Sequence, residues 1–301
     1  GFVERKFLKM GDSVTLNSGL TEIIDDNFQW RFWGTLIAEI KQTDNMTVYD
    51  DALDVRFRDS LKLDKQTGSL TITNISMKHA GEYQLWSRTV QNMFKLSVYD
   101  EIPMKKGDSV TLNSDLTEIR NNDWIQWRFA NALIAQIIWA GSMTVYDDVL
   151  DGRFRDRLKL DKQTGSLTIK NTRTEHAGDY VIEVNNRRKH FFLALYDEIS
   201  VMEGDSVTLN SGRTEIMDDY DLQWTYMYEN TVIAEVIKLF HSMTVYDDVL
   251  DGRFRDRLKL DNQTEFLTIT NITTEHAGRY LLLMDSGEKN LSFKAVRVSV
   301  Y

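Results

Sequence analysis

Met143-Thr-Val-Tyr-Asp-Asp-Val-Leu-Asp-Gly-Arg-Phe-Arg-Asp-Arg-Leu-Lys-Leu-Asp-Lys-Gln-Thr-Gly-Ser-Leu-Thr-Ile-Lys-Asn171 occurs three times in 301 residues, its other copies starting at Met46 and Met243. Each copy is followed by one short phrase: His79-Ala-Gly-Glu-Tyr83, His176-Ala-Gly-Asp-Tyr180 and His276-Ala-Gly-Arg-Tyr280. Each is preceded by a lone core-type tryptophan, Trp30, Trp127 or Trp224, at intervals of 97 and 97 residues. Repetition at this period means an array of like modules rather than one large core. The repeats place three domains at 1–99, 100–196 and 197–301, each long enough to bury its own core.

Within the first repeat, Gly11-Asp-Ser-Val14-Thr-Leu16-Asn-Ser18 alternates apolar and polar residues with period two, the pattern of a half-buried strand with Val14, Leu16 and Ser18 inward. Phe28 to Trp33 alternates again, with Trp30 and Phe32 inward. Leu36–Ile40 follows as its hairpin partner. Met46–Tyr49, Arg56–Leu63 and Ser69–Thr73 read as further short strands, the last with Leu70 and Ile72 buried and with Lys65-Gln-Thr-Gly68 as the turn before it. Glu82–Trp86 and Phe94–Tyr99 close the repeat. Short strands with regularly spaced turns predict an all-β chain of three tandem antiparallel β-sandwiches. The third copy is three residues longer between Trp224 and Phe254, a spacing of 30 against 27 in the others, and a surface loop absorbs such a change at little cost. The junctions Val98-Tyr-Asp-Glu-Ile102 and Leu195-Tyr-Asp-Glu-Ile199 hold none of the residues that make a linker flexible, which predicts a semi-rigid rod.

A glycine-led V-T-L strand, a lone tryptophan, an Arg-Phe pair, L-T-I and a closing A-G-x-Y, in that order three times over, resemble the variable-type immunoglobulin domain. Their wording is similar to immunoglobulin-type receptors of bony fishes and, through them, to the signalling-lymphocyte-activation-molecule branch of adhesion receptors. The resemblance implies that Tyr83, Tyr180 and Tyr280 are tyrosine corners, whose hydroxyls return to the backbone upstream. It also places an inter-sheet disulfide between Ser18 and Leu85, Ser114 and Ile182, and Ser211 and Leu282, but the chain has no cysteine. Losing such a bridge typically costs about 2–5 kcal/mol, which apolar packing against the tryptophan must offset. The family's acidic residue four before the corner tyrosine is His79, His176 or His276 here. Its usual partner, Arg56, Arg153 or Arg253, must therefore turn elsewhere, with Glu175 and Glu275 as candidates.

Composition excludes several functions. A net charge of −10 argues against nucleic-acid binding, which needs a basic face to displace counterions. No apolar run is long enough to span a membrane. There is no cysteine nucleophile, no phosphate-binding glycine loop and no metal-spaced His/Cys cluster, and three of the five histidines share one repeat position, so no catalysis and no cofactor are expected. The acidic phrases Asp50-Asp51-x-x-Asp54, Asp147-Asp148-x-x-Asp151 and Asp247-Asp248-x-x-Asp251, and the junction pairs Asp100-Glu101 and Asp197-Glu198, hold calcium-type oxygens. Arginines crowd the first group, which favours local charge neutralisation.

Five N-x-S/T acceptors, at Asn45, Asn74, Asn262, Asn271 and Asn290, favour an extracellular or cell-surface chain carrying N-linked glycans. Trp33 and Trp86 are expected outward and adjacent on one sheet of the first repeat, where their counterparts are Ala130 and Glu183, then Met227 and Leu283. Clustered solvent-facing tryptophans are typical interface anchors. The expected function is extracellular recognition or adhesion by immunoglobulin-like domains, binding a protein through a sheet face of the first. That partner is a second copy or another immunoglobulin-like receptor. Two other readings stay open: a structural fibre built by modules meeting at sheet edges or end to end, and an intracellular immunoglobulin array.

Overall fold

A computed structural model describes residues 3–24, 27–42, 45–138, 141–212, 220–285 and 291–301. The first repeat supplies β1 (Val3–Lys9), β2 (Val14–Leu16), β3 (Asn27–Phe32), β4 (Thr35–Lys41), β5 (Asn45–Val48), β6 (Leu61–Leu63), β7 (Leu70–Ile72), β8 (Gly81–Trp86) and β9 (Gln91–Pro103). The second supplies β10 (Val110–Leu112), β11 (Ile125–Phe129), β12 (Ala132–Ile138), β13 (Ser142–Val145), β14 (Leu158–Leu160), β15 (Leu167–Ile169), β16 (Gly178–Val184) and β17 (Arg187–Ala194). The third supplies β18 (Asp197–Val201), β19 (Val207–Leu209), β20 (Asp221–Tyr226), β21 (Thr231–Ile237), β22 (Ser242–Val245), β23 (Leu258–Leu260), β24 (Leu267–Ile269), β25 (Gly278–Asp285) and β26 (Leu291–Val300). Among the described residues, helical structure is confined to single turns.

Every repeat builds one three-stranded sheet, β2-β7-β6, β10-β15-β14 or β19-β24-β23, opposite a larger one. The result is an all-β chain of tandem immunoglobulin-like antiparallel sandwiches. In the larger sheets the first strand of a repeat runs parallel to its last, β1 with β9 and β18 with β26. By packing, the chain divides into two compact units, one of residues 1–101, 111–169 and 180–191, the other of 102–110, 170–179 and 192–301.

In the first unit, β9 pairs with both β8 and β17, so one 11-stranded sheet carries the large sheets of two repeats. The junction after Tyr99 is thus strand, not linker. Its Asp100 meets the buried Lys189 ammonium at 2.8 Å, as does Asp115 at 2.7 Å. That ammonium also stands 4.6 Å from the Phe191 ring centroid, which helps to hold a cation away from water. In the second unit, Tyr196 is flanked by the guanidinium groups of Arg279 and Arg297, and Arg297 also pairs with Glu198. Asp100 and Glu198, one acid of each junction pair, are therefore paired with lysine and arginine.

The alternating pattern forecast the core well. Trp30, Trp127, Trp224, Tyr83, Tyr180 and Tyr280 are all fully buried, with Phe57, Phe154 and Phe254 beside them. Leu85, Ile182 and Leu282 fill one half of each would-be bridge. The serines opposite do not face them as thiols would. Ser18 Oγ donates to the Thr67 carbonyl and Ser114 Oγ to that of Thr164, which satisfies hydroxyls that burial would otherwise penalise.

The predicted strand Arg56–Leu63 is a correction, because only Leu61–Leu63 is extended. Ahead of it the chain coils through Leu53, Asp54 and Val55, all at positive φ, and Arg58 pairs with Asp51 at 3.1 Å. Arg155 with Asp148 and Arg255 with Asp248 repeat this pairing at 2.7 and 3.0 Å. One aspartate of each acidic phrase is thus paired with an arginine.

Candidate recognition face

Antiparallel pairing of β3 with β8, and of β8 with β9, sets the outward residues of the first repeat in rows. Gln29 lies opposite Trp86, and Trp86 opposite Gln91; one pleat on, Arg31 lies opposite Gln84, and Gln84 opposite Met93. With Asn27 at its margin, this floor forms an open groove of about 620 Å³. Gln29 donates to Asn27 Oδ1 (3.3 Å) and accepts from Arg31 Nε (3.1 Å), while Arg31 Nη1 donates to the Gly34 carbonyl (2.8 Å). Gln84 Nε2 donates to Glu82 (2.8 Å). The amide of Gln91 makes no hydrogen bond among the described residues.

The equivalent face is built differently in the other repeats. In the second, Glu183 replaces Trp86 and is forked by the Arg188 guanidinium, Nε at 3.2 Å and Nη2 closer still, so an ion pair occupies the position of the indole. In the third, Thr225, Leu281 and Leu283 stand at the outward positions and are all buried, and Phe293 stacks on Phe192 with centroids 4.8 Å apart.

The two expected anchors are not brought together. Trp86 is outward at 43% exposure and walls the groove. Trp33 is 58% exposed, yet it is no strand residue: with Gly34 it makes the β3–β4 turn at φ 46° and 82°. That is the pair of positive angles which a tight hairpin requires. Its N–H donates to the Glu82 carbonyl (3.0 Å), so it stands four residues from Trp86 along β8, roughly 13 Å away. Its ring rests on Phe32 and on Gly81, where an added Cβ would lie 2.4 Å from the indole nitrogen. The period-two reading carried one residue too far. Groove residues Gln29, Gln84 and Gln91 escaped notice because polar outward positions look like ordinary solvated surface.

The three repeat histidines serve the scaffold. Nδ1 of His79, His176 and His276 accepts the N–H of Ser76, Arg173 and Thr273 at 3.0, 2.8 and 2.9 Å, closing the single helical turn ahead of each corner tyrosine. His276 Nε2 also donates to the Arg253 carbonyl (2.7 Å). Tyr83 and Tyr280 then donate to the carbonyls of His79 and His276, at 2.7 and 2.5 Å, as tyrosine corners. Burial, with the Lys78 charge second, pushes His79 down to about 4, and burial lowers His276 as well. Arg56, Arg153 and Arg253 stand over the rings of Phe32, Phe129 and Tyr228.

Asn45, Asn74, Asn262 and Asn271 are all exposed, Asn262 in the β23–β24 turn; Asn290 lies outside the described residues. No helix among the described residues is long and apolar enough to cross a membrane.

No family model matches the chain, and no curated protein matches it. Among solved structures it is similar to the first Ig-like domain of human CD48 antigen, at 21% identity and a TM-score of 0.30, over 36% of this chain and 84% of that one. It is similar to CD84 at 18% identity and 0.29, over 36% and 98%. Extracellular domains 3–5 of Drosophila OTK match 99% of this chain and 94% of theirs, at 15% identity and 0.23.

Proposed function

We propose that the chain is an extracellular recognition protein of three variable-type immunoglobulin-like domains, 1–99, 100–196 and 197–301, which binds a glycoprotein partner through the β3-β8-β9 face of the first. The carrying observation is the unequal fate of one face: open around Trp86, charged at the Glu183–Arg188 pair, and buried at Leu281 and Leu283. A large exposed aromatic in a concave setting is the residue type on which binding energy concentrates. The four exposed acceptor asparagines support an extracellular setting, and glycans there would leave the groove residues themselves unmodified.

The partner is a second copy or another immunoglobulin-like receptor. Sedimentation of the full chain, together with its binding to intact cells, tests this reading. Trp86→Ser should weaken association by about thirtyfold, since an aromatic anchor contributes about 2 kcal/mol or more. Glu183→Ser should leave it unchanged. Association untouched by Trp86→Ser overturns the reading, and secreted material with the mass of the bare polypeptide overturns the extracellular assignment.

A further inference from the structure

We propose that the first-repeat groove is a carbohydrate site, taking a neutral glycosyl residue carried by the partner. This rests on the first face being the recognition face, and it follows from what lines that face. Small-molecule sites are usually apolar with a few polar groups; this groove sets several amides round its apolar surface. Asn27, Gln29, Gln84 and Gln91 supply four amides around a single indole. Each amide offers N–H donors and a carbonyl acceptor side by side. A sugar hydroxyl is both donor and acceptor, so neighbouring hydroxyls pair with such amides in either direction. An apolar peptide side chain would instead strand them, at the cost of burying unpaired polar groups.

The register places the indole where a sugar needs it. Trp86 sits between Gln29 and Gln91 across the strands, so a pyranose lying with its C–H face on the ring would reach an amide on each side. Spare hydrogen-bonding capacity is present: the Gln91 amide and the Asn27 amino group are unpartnered among the described residues, and Gln84 keeps its carbonyl free after donating to Glu82. Charge argues for a neutral ligand. Arg31 is the one cation among the described residues that line the groove, and its Nε and Nη1 are already committed to Gln29 and Gly34. A phosphate or sulfate would find no second cation there. In the second repeat the corresponding indole and glutamine are Glu183 and Arg188, and in the third Leu283 and Phe293, so neither keeps the platform.

The test is binding of the full chain to an array of free oligosaccharides, neutral and sialylated N-glycans side by side, with no protein attached. Wild type should bind neutral glycans. Trp86→Ala should lower that signal at least tenfold and Gln91→Ala severalfold, whereas Trp33→Ala, outside the groove, should leave it unchanged. Matching melting curves for the three variants, all altered at exposed side chains, would separate lost binding from lost folding. A silent array, binding confined to sialylated glycans, or neutral binding indifferent to Trp86→Ala overturns the carbohydrate assignment. If the array is silent while cell binding still depends on Trp86, protein recognition by this face stands alone; if cell binding is also indifferent, both readings fall.

Discussion

Across one pleat of the first repeat stand Gln29, Trp86 and Gln91; across the same pleat of the third stand Gln223, Leu283 and Phe293. The backbone is equivalent, and so is the buried tryptophan one residue on. What differs is whether the outward side chains are matched to water or to protein. Leu283 is buried and Phe293 stacks on Phe192, so the third repeat spends this face within the chain. The first keeps it polar and accessible. A strand's inward residues define the module, while its outward ones decide what the module does.

The cores differ as well. Trp30 and Trp127 donate to the carbonyls of Gly68 and Gly165 at 2.8 and 2.9 Å. Gly68 is at φ 75°, and a Cβ there would meet Phe28 at 2.4 Å. The third repeat has Glu265 at this place, paired with Lys238, and the indole nitrogen of Trp224 finds no acceptor among the described residues.

The largest expected effect is common to the repeats. Trp30→Ala, Trp127→Ala or Trp224→Ala should destabilise its own repeat by about 3–5 kcal/mol, the usual range for truncating a buried aromatic. Urea unfolding monitored on each variant checks this, and a midpoint matching wild type would show that the strand register is wrong. Acid comes next. The folded-state pKa of His79, about 4, lies below the ordinary 6.5, so the unfolded chain binds the proton first. The stability is complete above pH 6.5 and drains away as pH falls toward 4, by about 3 kcal/mol for this group. His79→Gln should flatten the wild-type pH dependence of the urea midpoint across that window; an equal slope in both proteins would rule the histidine out as its source.

Exchanging chemistry between the faces should give a smaller, asymmetric result. Leu283→Gln buries an amide in the third repeat and should cost about 1–3 kcal/mol, whereas Trp86→Ser in the first should stay within about 0.5 kcal/mol of wild type. Equal melting shifts would mean that the two faces are alike after all. Smallest is the indole hydrogen bond. Trp30→Phe loses a partnered N–H and should cost about 1 kcal/mol more than Trp224→Phe, whose N–H has nothing to lose.

Strand alternation made the sandwiches legible, since Val14, Leu16, Trp30, Phe32, Leu70 and Ile72 are all buried as their period requires. Periodicity cannot see where a strand stops. It therefore carried Trp33 onto a sheet face when the turn had already begun, and it extended Leu61–Leu63 back to Arg56. It is also blind to which outward face another part of the chain will cover. Leu281, Leu282 and Leu283 are all buried, and only packing shows that Phe192 and Phe293 stack beside them. The histidines were visible as a departure from the family, yet their role depends on a ring nitrogen reaching a backbone N–H three residues back.

The most direct test of the central claim is site-specific photo-crosslinking on intact cells, with a photoreactive phenylalanine analogue placed at position 86 or at the equivalent position 183 of the full chain. Recognition by the first face predicts a covalent adduct to a glycoprotein from position 86 and none from position 183. Equal adducts from both positions, or an adduct from 183 alone, would contradict it.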